Sequence, residues 1–170
     1  MTPGTGVDQD RSDRLRSLRE RWEEHGWEAA DCAEAYGALV VTARLVAMHV
    51  DQTLAALGLT GSRVNVLYIL DTAPDGGLTI GQLARTTIAH PTSVTKLVDA
   101  LAADGLVRKV VPEHDRRSVR VELTAKGGKL LARAAALLGS SRFGLGALDP
   151  AGVTALTQAL DTVCADILER

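Results

Sequence analysis

Between Thr79 and Thr124 the spacing of apolar residues changes from a helical to a strand-like period. Val94, Leu97, Val98 and Leu101 recur at intervals of three and four, which places them on one stripe of a helix. Thr92, Ser93, Thr95, Lys96 and Asp99 fall on the opposite face, short and polar. Pro91 can open that helix, because its missing amide would be unpaired in the first turn anyway, and Gly105 supplies a left-handed stop. Upstream, Thr79 and Gln82 have the spacing of a capping box, which starts a short helix weakened at its end by the β-branched pair Thr86-Thr87. Downstream, Leu106–Val111 and then Val119, Val121 and Leu123, alternating with Arg120 and Glu122, predict two strands. The stretch from Pro112 to Arg117 is too polar to bury and is expected to protrude. Two helices at a tight turn followed by a β-hairpin predict a winged helix-turn-helix.

The flanks are helical. Residues 1–11 are aperiodic and are expected to form a flexible tail. Leu15, Leu18 and Trp22 share one face of a helix from Ser12 that Gly26 ends. A long helix follows from about Glu28 to Leu57, with Ala33, Tyr36, Gly37, Val40, Val41, Leu45, Met48 and His49 near the helical period. Its wide apolar girth suits burial between subunits. Gly58 breaks it, Thr60 caps the next helix, and that helix uses Val64, Val66, Leu67 and Tyr68 as its apolar positions. Thr124 caps a further helix with Leu130, Leu131, Ala134, Leu137 and Leu138 as its stripe. Asp149-Pro150 starts a last one, on which Val153, Leu156, Leu160, Val163 and Ile167 form a seam for a partner helix. The expected fold is mainly α with a small β-hairpin wing: N-terminal helices over 12–57, a winged lobe over 58–124 and C-terminal dimerisation helices over 125–170.

Composition narrows the function. Apolar residues make up 46% of the 170 and aromatic residues only 3%, so the core is built of Leu, Val and Ala. There is no uncharged apolar run of 18 residues and no secretory signal pattern, and a cytoplasmic protein without a membrane span is expected. The net charge of −2 is unevenly spread: Arg85–Lys129 holds nine Lys/Arg against five Asp/Glu, or +4, which leaves −6 elsewhere. A basic lobe on an acidic body suits contact with phosphate. Cys32 and Cys164 have no C-x-x-C spacing and are expected to be plain buried thiols. His25, His49, His90 and His114 are scattered without metal-ligand spacing. Neither a nucleophile elbow nor a Gly-rich phosphate loop is present. No metal, cofactor or enzymatic activity is expected.

The strings LTIGQLA, HPTSVTKLVDALAADGLVRK and DRRSVRVELTAKG resemble the MarR family of winged helix-turn-helix transcription regulators. The resemblance extends over nearly the whole chain from about Arg14, and its most specific part is Asp115-Arg116-Arg117 followed by Thr124 and Gly127. It implies a homodimeric DNA-binding regulator, here read as a repressor of a pseudo-palindromic operator. Half-sites are then expected about 10 base pairs apart. It further implies that Arg117 enters a minor groove, oriented by Asp115, and that a small, often aromatic or anionic ligand releases the DNA from a cleft beside the dimer helices. An N-terminal helix with Trp22 is similar to that of a urate-responsive branch, but that branch has an aspartate and an arginine near the positions of Val64 and Lys96. In a peroxide-sensing branch the reactive cysteine falls near Tyr36, one turn after Cys32, and its activating tyrosines correspond to Val50 and Gly61.

Candidate DNA-binding residues are therefore Thr92, Ser93, Thr95 and Lys96 on the second helix and His90 before it. Arg85 and Arg63 on the supporting helices, Arg108 and Lys109 on the first strand, and Asp115, Arg116 and Arg117 on the tip complete the set. Thr and Ser in a first helical turn can equally satisfy its free amides. Trp22, Met48, His49, Arg63 and Tyr68 are candidate ligand-cleft residues. The alternatives are a cysteine-based redox regulator and a winged helix that docks proteins without binding DNA.

Overall fold

A computed structural model describes residues 18–111 and 119–169; the tip residues His114, Asp115, Arg116 and Arg117 lie outside them. The chain divides into two compact units, Met1–Met48 and His49–Arg170.

In the N-terminal unit a helix α1 over residues 18–24 precedes α2 (Ala30–Leu54), which runs on into the second unit. Gly26 ends α1 as expected, at φ 67°. In the bend the Trp22 indole N–H donates to the Glu28 carbonyl at 2.9 Å, and the Trp27 ring stands edge-on to it with centroids 4.8 Å apart. Arg19 reaches both Glu23 (2.9 Å) and Glu34 (3.7 Å), which ties α1 to α2. Tyr36, Leu39, Val40, Val41, Leu45 and Met48 are exposed along α2. Extended by a 3-10 turn to Leu57, this helix contains an 18-residue window of mean hydropathy 1.2, long and apolar enough by length and composition alone to cross a membrane.

The second unit holds the core. Gly58 stops the 3-10 turn (Ala55–Leu57) in a left-handed conformation, and Thr60 caps α3 (Gly61–Asp71) by accepting from the Arg63 amide. Val64, Val66, Leu67 and Leu70 of α3 are buried, but Tyr68 is 58% exposed, against the expectation that it belongs to the apolar face. The capping box of α4 (Ile80–Thr86) is complete in both directions: Thr79 accepts from the Gln82 amide, and Gln82 from the Thr79 amide at 2.8 Å. α5 (Pro91–Ala103) buries Val94, Val98 and Leu101, with Leu97 half-buried beside them.

A third strand was missed. β1 (Gly77–Thr79) lies in the segment read as loop and helix start, and the sheet order is β1-β3-β2, antiparallel throughout. β2 spans Val107–Val110 and β3 Arg120–Leu123, with Val107 opposite Leu123 and Gly77 opposite Glu122. The Arg120 side chain, expected to be merely wet, donates to the carbonyls of Asp75 and Gly77 at 3.1 and 2.8 Å and holds the edge strand in place. Val119, expected to alternate inward, is exposed beyond the start of β3.

Thr124 caps α6 (Ala125–Ser140) and also donates to the carbonyls of Gly105 and Leu106. Leu131, Ala134 and Leu138 complete the core, whereas Leu137 faces out. α6 runs into the predicted Gly139–Ser141 connector as far as Ser140. Asp149 caps α7 (Pro150–Glu169) through the Gly152 amide at 2.7 Å. No residue of α7 is buried. Its seam Leu156, Leu160, Val163 and Ile167 is open. Both cysteines are exposed, not buried as expected, because each lies on a helix face that nothing in the described chain covers.

Candidate nucleic-acid interface

α4 and α5 are joined by a short turn, and the first turns of α5 project from the core with their polar face bare. Pro91 and the cap set that start: the His90 imidazole Nδ1 accepts from the Thr92 amide at 3.3 Å, on an exposed side chain. Thr92, Ser93, Lys96 and Asp99 are exposed. Thr95 is half-buried and donates to the Pro91 carbonyl at 2.9 Å, the local alternative that Ser and Thr take in helices. Among the described residues Lys96 and Arg85 have no ion-pair partner, whereas three other predicted cations are held. Arg108 meets Glu122 at 2.7 Å, Lys109 pairs with Asp99, and Arg63 pairs with Asp104. In the first pair Arg108 is exposed and Glu122 partly buried, and both members of the second are open to solvent, where such pairs contribute little to stability.

Arg63 differs. Its side chain is only 19% exposed, its Nη1 donates to the Gly58 carbonyl at 3.2 Å, and Asp104, its partner, is the C-terminal cap residue of α5. Lys126 donates to the Asp104 carbonyl at 2.7 Å. Arg63 and Lys126 therefore clamp the far end of α5, and Arg63, expected as a phosphate contact, is paired within the fold in this structure. Its Nε is buried without a partner among the described residues.

A cleft of about 350 Å³ opens between the end of α2, α3, α6 and the turn after α6. It is lined by Val50, Val64, Leu131, Leu138 and Phe143, with Asn65 and Tyr68 as its polar groups. Of the five predicted cleft residues, Tyr68 is in the lining. Trp22 packs on Trp27, Met48 is exposed, Arg63 turns to Asp104, and His49 packs against Gly144 with its Nε2 buried and unpartnered among the described residues. The lining that sequence reasoning missed is apolar side chains indistinguishable from core until the helices are brought together. Phe143 had one signal, as the only phenylalanine in the chain.

Two helices at a turn, the second with an exposed polar face, and a small antiparallel sheet in which β2 pairs with β3 define a winged helix-turn-helix protein. Residues 57–118, most of this lobe, match the MarR family. The HTH-type transcriptional repressor YetL of Bacillus subtilis is 33% identical over 73 residues, covering 43% of this chain. The match spans less than half of that relative, 44% of its length. Among solved structures, Sco5413, a MarR family transcriptional regulator from Streptomyces coelicolor, superposes with a TM-score of 0.68 at 28% identity over 78% of this chain and 94% of its own. The transcriptional repressor CouR, solved bound to a 23-mer DNA duplex, gives 0.70 at 28% identity over 75% and 90% of the two chains.

Proposed function

We propose that this protein is a cytoplasmic, sequence-specific DNA-binding transcription regulator, a homodimeric repressor that leaves its operator when a small molecule binds. The observation that carries the reading is the bare start of α5. Thr92, Ser93 and Lys96 are exposed there, on a lobe whose Arg85–Lys129 stretch is net +4. In a helix-turn-helix these first residues meet base edges in the major groove; hydroxyls hydrogen-bond to bases, and Lys96 reaches guanine or phosphate. Arg85, Arg108 and Lys109 supply phosphate contacts, the latter two by exchanging Glu122 and Asp99. Arg116 and Arg117 carry the wing into the neighbouring groove, with Asp115 orienting Arg117 toward the negative potential there. The names of YetL and CouR, both repressors, agree with this direction of control.

The cleft suits the effector, because about 300 Å³ is the lower end of small-ligand sites and a few polar groups among apolar walls fix orientation. An aromatic ligand there would meet Tyr68 and Asn65 with its polar end, and would shift the population toward a spacing of α5 helices that the operator rejects.

Selection from a random duplex pool, followed by anisotropy titration over a salt series, tests the reading. One near-palindrome should be enriched, and its affinity should fall steeply with salt as counterions are released. A flat log–log salt plot removes the basic-face reading. Arg117→Ala is expected to weaken the selected duplex by about 1–3 kcal/mol while the dimer persists. Unchanged affinity would remove Arg117 from the interface.

A further inference from the structure

Among the described residues four helix ends close by the same backbone motif, in which a residue in left-handed conformation donates to the carbonyl three back and its successor to the carbonyl five back. Gly26, Gly58 and Gly105 fill the left-handed position at three of them. At the fourth, the end of α4, it is Ile88, at φ 51°. Its amide donates to Arg85 at 3.2 Å, and the Ala89 amide donates to Ala84 at 3.0 Å. A β-branched residue is strained there, since its Cβ crowds the backbone. Ile88 also gains nothing inside the fold: at 81% exposure it is the most solvent-accessible large apolar side chain among the described residues. The position is therefore doubly unfavourable for the isolated chain, in backbone and in hydration.

We infer that Ile88 is a specificity-determining residue that contacts the C5-methyl group of a thymine in the major groove. The inference rests on the DNA-binding reading above and adds a residue and a base to it. Ile88 stands two positions before His90, the cap of α5, and so at the lip of the helix end that enters the groove. The thymine methyl is the apolar feature presented there, and an apolar side chain is its complement. Burying the two against each other recovers the exposure that the free protein tolerates. Strain retained at an exposed site is the pattern of a residue kept for contact and not for folding.

Ile88→Gly and Ile88→Asn separate the two effects, because both relieve the left-handed strain and both remove the apolar contact. Each is expected to raise the melting midpoint, Gly by roughly 2–4 °C, while weakening the duplex selected by the unsubstituted protein about three- to tenfold. Replacing thymines of that duplex one at a time by deoxyuridine is expected to find one position per half-site that weakens the unsubstituted protein and leaves both variants unaffected. Stabilised variants with unchanged affinity overturn the inference and leave the DNA-binding reading standing. Weakened binding without any methyl dependence overturns the thymine contact. If the unsubstituted protein enriches no duplex at all, the DNA-binding reading falls and this inference with it.

Discussion

Gly127 shows how a single residue can be legible as a signal and opaque as a cause. It stands out in the sequence as the glycine just past Thr124. In the structure the reason is contact: a Cβ there would overlap the Leu106 carbonyl oxygen and sit 2.8 Å from the Leu123 side chain. Backbone cannot yield as a flexible side chain does, so Gly127→Ala is expected to cost about 3 kcal/mol or more, read as a lowered midpoint in denaturant. An unchanged midpoint would mean that α6 slides freely on β2. The caps at Thr60, Thr79 and Thr124 were legible because a capping side chain bonds within three residues of itself. Ile88 was not, since nothing in its neighbours states that an isoleucine takes the place of a glycine. Nor was the inward turn of Arg63, whose partner is 41 positions away.

Among the elements, α5, β3 and α6 were readable because each buries one face and so repeats at a fixed period, while α4 was read from its capping box. β1 has three residues, too few for a period, and exists only because β3 and the Arg120 guanidinium lie alongside it. The cleft depended on tertiary packing in the same way, since Val64 and Leu131 read as core on their own helices. The clamp on α5 makes a prediction at this scale. Arg63 is mostly buried while Asp104 is 54% exposed, so solvent discounts the pair, and Arg63→Ala is expected to cost about 1–2 kcal/mol of stability. Removing a phosphate contact lowers the salt slope of DNA binding by about one, and removing a positioning residue leaves it alone. Lys96→Ala is therefore expected to flatten the slope and Arg63→Ala to preserve it while lowering the melting midpoint. A flattened slope for Arg63→Ala would return it to the set of phosphate contacts.

On the scale of the whole molecule, α7 cannot be explained by the fold of one chain. It has twenty residues and none is buried, although Leu156, Leu160, Val163 and Ile167 follow a helical seam. Most helical stability in proteins comes from packing an apolar face against a partner, and an apolar stripe left wet opposes solubility. A second copy of the chain meets both demands, and α2 offers Tyr36, Leu39 and Val40 as further exposed apolar surface. Dimerisation also supplies what the DNA reading requires, because two linked α5 helices engage two half-sites with the second contact made at high effective concentration. Leu160→Glu places a charge in the middle of the seam, far in sequence from α5. It is expected to yield a monomer by light scattering, with the winged lobe still folded, and to weaken the selected duplex about a hundredfold or more. The two readouts bear on different links. A dimer that survives Leu160→Glu would show that the seam is not the contact between copies, whereas a monomer that keeps full affinity would show that one α5 suffices for the site.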